Sequence, residues 1–202
     1  MHHLLLPAQA WWDAQRFNQP QWQLEGWQDQ KARHIQLHVA KAVGKVLTAY
    51  GTGVGPVSDP EALARVRHEV LPDVAIYRSQ LLQTFPDCGD PATLPPGPGG
   101  CGTAQAVPSH AGGVLHAAQL LPVLLGLSYA SARLAVYLEP REHGIMSPLA
   151  PIWEAVQALH SSAQTLAIAC GMDLARAHQA RLEALLGAPL PTALVAEVTD
   201  QG

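Results

Sequence analysis

The chain has 202 residues, of which 48% are hydrophobic, so it is long enough to bury a core as one large domain or two small halves. Only 14% of its residues are charged, against about a quarter in an average protein, and a net charge of -4 offers no basic surface to a nucleic-acid backbone. Three cysteines cannot all pair, the start lacks the basic residues of a secretion signal, and no apolar run reaches the roughly 18 residues of a membrane span. We therefore expect a cytoplasmic protein that binds neither nucleic acid nor a membrane.

Two long helices are predicted in the first half of the chain. The first extends from about Gln30 to Tyr50, where apolar residues recur at helical spacing on one face. The second begins at Ser58 or Asp59, either of which can cap a helix, and continues to about Phe85. Because proline removes a helical hydrogen bond, Pro72 predicts a kink or a break inside this second helix. The tryptophans before this region are expected to anchor an N-terminal arm on the bundle: Trp11, Trp12, Trp22 and Trp27.

Further helices follow a segment rich in proline and glycine, residues 86–113, which is predicted to be a linker. They are expected at about 114–138, with a kink or a start at Pro122, at about 148–170, closed by Gly171, and at about 173–186, capped by Asp173. The sequence therefore predicts an all-α protein, an antiparallel bundle of five to six helices. The predicted division is an N-terminal half (1–85), the linker (86–113), a C-terminal half (114–187) and a tail (188–202), with one compact domain as the alternative.

Three segments resemble the MazG-type, all-α nucleoside triphosphate pyrophosphohydrolases: residues 34–49 (HIQLHVAKAVGKVLTA), 66–82 (VRHEVLPDVAIYRSQLL) and 169–187 (ACGMDLARAHQARLEALLG). The resemblance covers about a third of the chain and implies a helical bundle, either with or without two such halves in tandem. In that family a Glu-Glu-x-x-Glu motif on one helix and a Glu-x-x-Asp motif on the next hold magnesium, which prefers oxygen ligands.

This chain departs from the family pattern at most of the metal-binding positions. Lys41, Ala42 and Lys45 stand where the resemblance places the three glutamates. Asp73 is retained, but Val70 stands three residues before it and Glu69 four. Since two lysines would repel a magnesium ion, we expect no cofactor and a loss of magnesium-dependent hydrolysis.

The resemblance brings five residues together as a candidate site for an anion or a nucleotide: His38, Lys41, Lys45, Glu69 and Asp73. We expect Lys41 or Lys45 to lie within salt-bridging distance of Asp73 or Glu69, because an unpaired buried carboxylate is costly. Closed ion pairs without a ligand, or a plainly solvated face, are the structural alternatives. The weaker alternative of a metal site would use His34 and His38, four residues apart on one helix, with His68.

Three functions remain open at this point. The first is a diverged relative that binds a nucleotide or another anion or acts structurally, and the second is an unrelated bundle that acts as an interaction protein. The third is an active pyrophosphohydrolase that uses magnesium with a non-standard set of acids, drawn from Glu61, Glu69, Asp73, Glu139, Glu142 and Glu154. The low charge and the high apolar content predict a homodimer.

Overall fold

The computed structural model describes residues 6–17, 26–51, 53, 55–88 and 114–191. Within these ranges the protein is a bundle of α-helices without a β-strand, so the predicted fold class is confirmed. The helices are α1 (Leu6–Phe17), α2 (Trp27–Tyr50), α3 (Pro60–Arg65), α4 (Leu71–Thr84), α5 (Ala117–Glu142), α6 (Ala150–Cys170) and α7 (Leu174–Leu186).

Local capping signals set several of these helix ends. The Asp59 carboxylate accepts hydrogen bonds from the backbone N–H groups of Glu61 and Ala62, at 2.9 and 3.2 Å, and so satisfies donors that the first turn of α3 leaves open. Asp173 does the same for α7 through the N–H of Arg176, at 2.7 Å. Gly171 ends α6 in the left-handed conformation, with φ of 63°. The predicted caps and the glycine stop are confirmed.

The predicted second helix is interrupted by a wide turn just before Pro72, where the sequence predicts a kink or a break. Residues Val66–Val70 form a π-helical turn that joins α3 to α4, and the N–H of Leu71 donates to the carbonyl of Val66. In a regular α-helix the ring of Pro72 would collide with the carbonyl of His68, four residues earlier. The wide turn relieves this conflict. The regular α-helical hydrogen bonding stops before Pro72 and resumes in α4, which contains the proline in its first turn.

The core joins the helices on both sides of residues 86–113. Helix α5 packs against α2 and α6, while α4 packs against α6, α2 and α7. Ile35, Leu71, Leu127 and Leu159 are fully buried in one hydrophobic cluster, although they come from four different helices. The two predicted halves therefore share a core, and residues 89–113 of the predicted linker lie outside the described residues.

Helix α1 packs on the outside of this bundle, against α4. Its Trp12 is buried in a second, smaller cluster with Ile76, Leu182 and Leu190. The expectation that tryptophan anchors the N-terminal arm is met at Trp12. Trp22 lies outside the described residues.

Helix α5 is longer and more apolar than the sequence analysis recognised. It spans 26 residues, passes through both Pro122 and Pro140, and is long and apolar enough, by length and composition alone, to cross a membrane. The expectation that no segment meets this criterion was therefore wrong. A core helix of a soluble protein meets the same criterion, although only a third of the most apolar stretch of α5 is buried.

Candidate functional site

An ion pair joins α2 to the π-helical turn at the place where the resemblance put its first motif. The ammonium group of Lys45 donates a hydrogen bond to the carboxylate of Glu69. About a third of each side chain is exposed, 30% for Lys45 and 38% for Glu69. The hydrogen bond from Lys45 lowers the pKa of Glu69, and so keeps this carboxylate ionised. The expected contact between a lysine of α2 and an acid of the second motif is confirmed by this pair.

Asp73 has a different partner from the one that the sequence suggested. Its carboxylate accepts two hydrogen bonds from the guanidinium group of Arg181 on α7, one from Nε at 2.7 Å and one from Nη2 at 3.3 Å. Asp73 is buried on α4, and its side chain is 12% exposed. Arg181 also lies near enough to Glu69 to contribute to its lowered pKa. Arg181 therefore forms an ion pair with Asp73 and adds a weaker electrostatic attraction to Glu69.

A tyrosine and two histidines extend the charged group towards the start of α2. The hydroxyl of Tyr77 lies 3.2 Å from Nδ1 of His38, and the rings of His34 and His38 are 4.4 Å apart between centroids. Burial raises the pKa of Tyr77, and the nearby Asp73 carboxylate raises it further, so the phenol stays protonated. We call the residues Lys45, Glu69, Asp73, Arg181, Tyr77 and His38 the charged cluster.

The remaining sequence candidates lie at the edge of the charged cluster. Lys41 is exposed, one helical turn before Lys45, and His68 is exposed on the π-helical turn. Among the described residues no three histidine, cysteine or acidic side chains lie close enough together to hold a metal ion. The geometry therefore does not bring His34, His38 and His68 together as ligands.

The acids of the non-standard ligand set are spread over several helices. All but one of them pair with an arginine or a lysine, and Glu139 is exposed on α5. The pairs are Glu61 with Arg65, Glu69 with Lys45, Asp73 with Arg181, Glu142 with Arg33 and Glu154 with Arg133. In these five pairs a lysine or an arginine occupies the carboxylate oxygens that a magnesium ion would need as ligands.

Sequence reasoning missed a buried polar cluster between α1, α2 and α4. The carboxylate of Asp13 accepts hydrogen bonds from the side-chain amides of Gln9, at 3.1 Å, and Gln80, at 2.8 Å. The ammonium group of Lys31 lies 4.0 Å from the same carboxylate. Burial raises the pKa of Asp13 and lowers that of Lys31, although their mutual attraction opposes both changes. No motif marks these residues, and only the docking of α1 brings them together.

A buried histidine on α7 completes this second cluster. Nε2 of His178 lies 2.8 Å from the amide oxygen of Gln9, and the residue is 1% exposed. Burial lowers the pKa of His178 to about 4, and the nearby positive charge of Arg78 acts in the same direction. His178 is therefore neutral at physiological pH and donates a hydrogen bond to Gln9.

Comparison of the chain with protein families, with characterised proteins and with solved structures finds no match. A function for this chain is therefore inferred from the geometry of the charged cluster and from the surfaces around it.

Proposed function

We propose that this chain is a non-catalytic, MazG-like helical bundle, whose charged cluster has a structural role and which acts through its surfaces as an assembly or interaction protein. The proposal is supported by one observation above all: Asp73, the retained acid of the second motif, and the nearby Glu69 are each paired with a cation from another helix. A magnesium ion would have to displace Lys45 and Arg181 and then bind beside their positive charges. The free energy of the cluster therefore favours closed ion pairs over a metal site.

The direct test measures pyrophosphate release from a panel of nucleoside triphosphates, with magnesium and with manganese. We expect no release above the protein-free background. Hydrolysis that requires magnesium and disappears in Asp73→Asn would overturn the proposal and favour the active pyrophosphohydrolase with non-standard ligands. Calorimetry with magnesium alone separates binding from turnover, and we expect no heat of binding for the unmodified chain.

A charge-reversal variant makes the test sharper. Lys45→Glu removes the cation that pairs with Glu69 and places a second carboxylate opposite it, as the resemblance would have it. We expect magnesium to stabilise this variant against thermal unfolding, while Arg33→Glu, with the same charge change at an exposed and distant ion pair, gains no such response. If magnesium affects both variants equally, the charged cluster is not the site of the effect.

The second candidate function is metal-independent binding of a small anion, such as pyrophosphate or the phosphates of a nucleotide. It is favoured by the exposed Lys41, one turn from Lys45, whose own ion pair is partly open to solvent. Two ammonium groups on one helix face can approach the same phosphate without unfolding of the bundle. Titration with pyrophosphate in a chelating buffer tests this, with Lys41→Ala as the variant and Arg33→Ala as its control. Binding that Lys41→Ala leaves unchanged would exclude this site.

A further inference from the structure

Helix α5 exposes a row of large apolar side chains along its outer surface. Leu121, Leu125, Tyr129 and Val136 are 42%, 57%, 47% and 49% exposed. Their spacing of four, four and seven residues places them in one stripe along the helix. Ser128 and Ala132, both exposed, lie between them. The opposite side of the same helix is fully buried in the core, so α5 is apolar on both sides.

Helix α2 carries a similar stripe. Leu37 and Leu47 are 60% and 52% exposed, and two small exposed residues, Ala40 and Gly44, lie between them. Apart from its chain neighbours and the backbone of α2 itself, no atom lies within 4 Å of the place where a Cβ on Gly44 would stand, so this stretch is open. Small residues along a helix let another helix approach closely.

The two stripes belong to one surface, because α2 and α5 pack side by side in opposite directions. Asp29 near the start of α2 accepts hydrogen bonds from Tyr137 and Arg141 near the end of α5. On the outer side of the same end, Arg33 pairs with Glu142, and both side chains are about half exposed. We define the α2–α5 face as Leu37, Ala40, Gly44, Leu47, Leu121, Leu125, Ser128, Tyr129, Ala132 and Val136.

The size of the α2–α5 face fits a protein interface. Its six large apolar side chains leave on the order of 500 Å² accessible, which is near the upper end of the largest patch on an ordinary monomer. With the small residues between them, the face approaches the roughly 800 Å² that each partner buries in a stable complex of standard size.

The charges around the face favour a second copy of this chain as its occupant. From Val114 to Leu138 the only charged residue is Arg133, and it pairs with Glu154 on α6. A helix that lies on a membrane surface needs several basic residues along its rim. Among the described residues, Lys41 is the only basic residue beside this face that does not form a salt bridge. The residues of the face itself carry no charge, so they meet no repulsion from a second copy, and the exposed Glu139 lies at the edge of the face near the end of α5. Because Leu120, Leu127 and Leu134 are fully buried, α5 cannot leave the bundle to span a bilayer without opening the core.

We propose that the α2–α5 face binds the same face of a second copy, giving a two-fold dimer with four helices at its centre. An isologous interface of this kind is closed, because each protomer contributes the same residues and leaves no further face to extend the assembly. The inference does not depend on the role of the charged cluster, because that cluster lies where α2 meets α4 and α7.

Sedimentation of the full chain over a range of concentrations tests the proposal, with Leu125→Glu as the variant and Ile168→Glu as its matched control. Ile168 is 58% exposed on α6 and is not one of the residues of the α2–α5 face, so it receives the same charge at nearly the same exposure. We expect a dimer for the unmodified chain and for Ile168→Glu. Leu125→Glu should weaken dimerisation by on the order of 100-fold or more, as for a central interface residue. Circular dichroism should show the same helix content for all three, because both positions are exposed.

Three outcomes would overturn the proposal. The first is an unmodified chain that stays monomeric at every concentration, even if another partner binds the α2–α5 face. The second is a dimer that Leu125→Glu leaves intact, which would place the interface elsewhere. The third is a monomer that binds phosphatidylcholine or phosphatidylserine vesicles and loses this binding in Leu125→Glu, which would make the face a membrane surface. A second substitution, Leu37→Glu on α2, keeps the test valid if Leu125→Glu fails to fold.

Discussion

Replacing Asp73 with alanine is expected to lower the free energy of unfolding by about 2–4 kcal/mol. Removing one member of a buried ion pair costs about 3–5 kcal/mol, because the other charge stays in the protein without its partner. The side chain of Asp73 is 12% exposed, but that of Arg181 is 25% exposed, so water partly compensates the stranded guanidinium. Because of this exposure, the expected loss in the free energy of unfolding extends below the 3 kcal/mol of a fully buried pair, to about 2 kcal/mol.

The double variant Asp73→Leu, Arg181→Met is expected to cost less than Asp73→Ala alone. It removes both charges together and fills their space with apolar groups, and such replacements of buried pairs are often neutral or stabilising. A double-mutant cycle completed with the single variants Asp73→Leu and Arg181→Met should give a coupling energy of at least about 1 kcal/mol between the two positions.

Urea unfolding, followed by circular dichroism at one fixed protein concentration, measures these differences. For a chain of this size, the loss in Asp73→Ala corresponds to a fall in Tm of roughly 5–15 °C. Arg65→Ala is the control, because it breaks the exposed pair with Glu61 and should cost less than about 1 kcal/mol. A loss in Asp73→Ala no larger than that in Arg65→Ala, or additive effects of the substitutions at positions 73 and 181, would show that the Asp73–Arg181 ion pair does not stabilise the fold.

Two more predictions concern the buried interior. Because burial lowers the pKa of His178 from 6.5 to about 4, the unfolded chain takes up this proton first as the pH falls. The contribution to stability is complete above pH 6.5 and should fall by about 3 kcal/mol by pH 4. His178→Gln should reduce this slope in urea titrations at several pH values, and an unchanged slope would contradict the assignment. A Cβ at Gly126 would lie 2.3 Å from Oγ of the buried Ser162, so in Gly126→Ala the displacement of this hydroxyl should offset the roughly 1 kcal/mol that alanine gains over glycine inside a helix, and the variant should be no more stable than the unmodified chain. Adding Ser162→Ala should raise the stability of Gly126→Ala, and equal stability of the single and the double variant would show that the clash has no effect.

The sequence predicted the features that depend on neighbouring residues. Asp59, Gly171 and Asp173 mark helix ends because capping and left-handed stops act over a single turn. The helical spacing of apolar residues predicted α2 from about Gln30 to Tyr50. In the structure this helix begins about one turn earlier, at Trp27. These signals require no knowledge of how the helices pack.

The features that the sequence did not predict depend on contacts between distant parts of the chain. The pairing of Lys45 with Glu69 was expected because the resemblance sets α2 level with the following helix. The partner of Asp73 was missed because Arg181 is 108 residues away, and nothing local shows where α7 packs. For the same reason, no pattern in the sequence marks the burial of Asp13 and Lys31.

The wide turn at Val66–Val70 also bears on how this chain is aligned with others. Such a turn holds one residue more than an α-helical turn, so a residue added here is absorbed locally and the helix beyond it keeps its facing. Glu69 stands four residues before Asp73, whereas the resemblance would place an acid three residues before it, and one added residue in this turn would account for that offset. Deleting a residue from the turn would restore an ordinary α-helical turn, which keeps the facing of α4 but brings the ring of Pro72 against the carbonyl four residues earlier. The length of this segment is therefore constrained by Pro72, whose ring a regular α-helix does not accommodate.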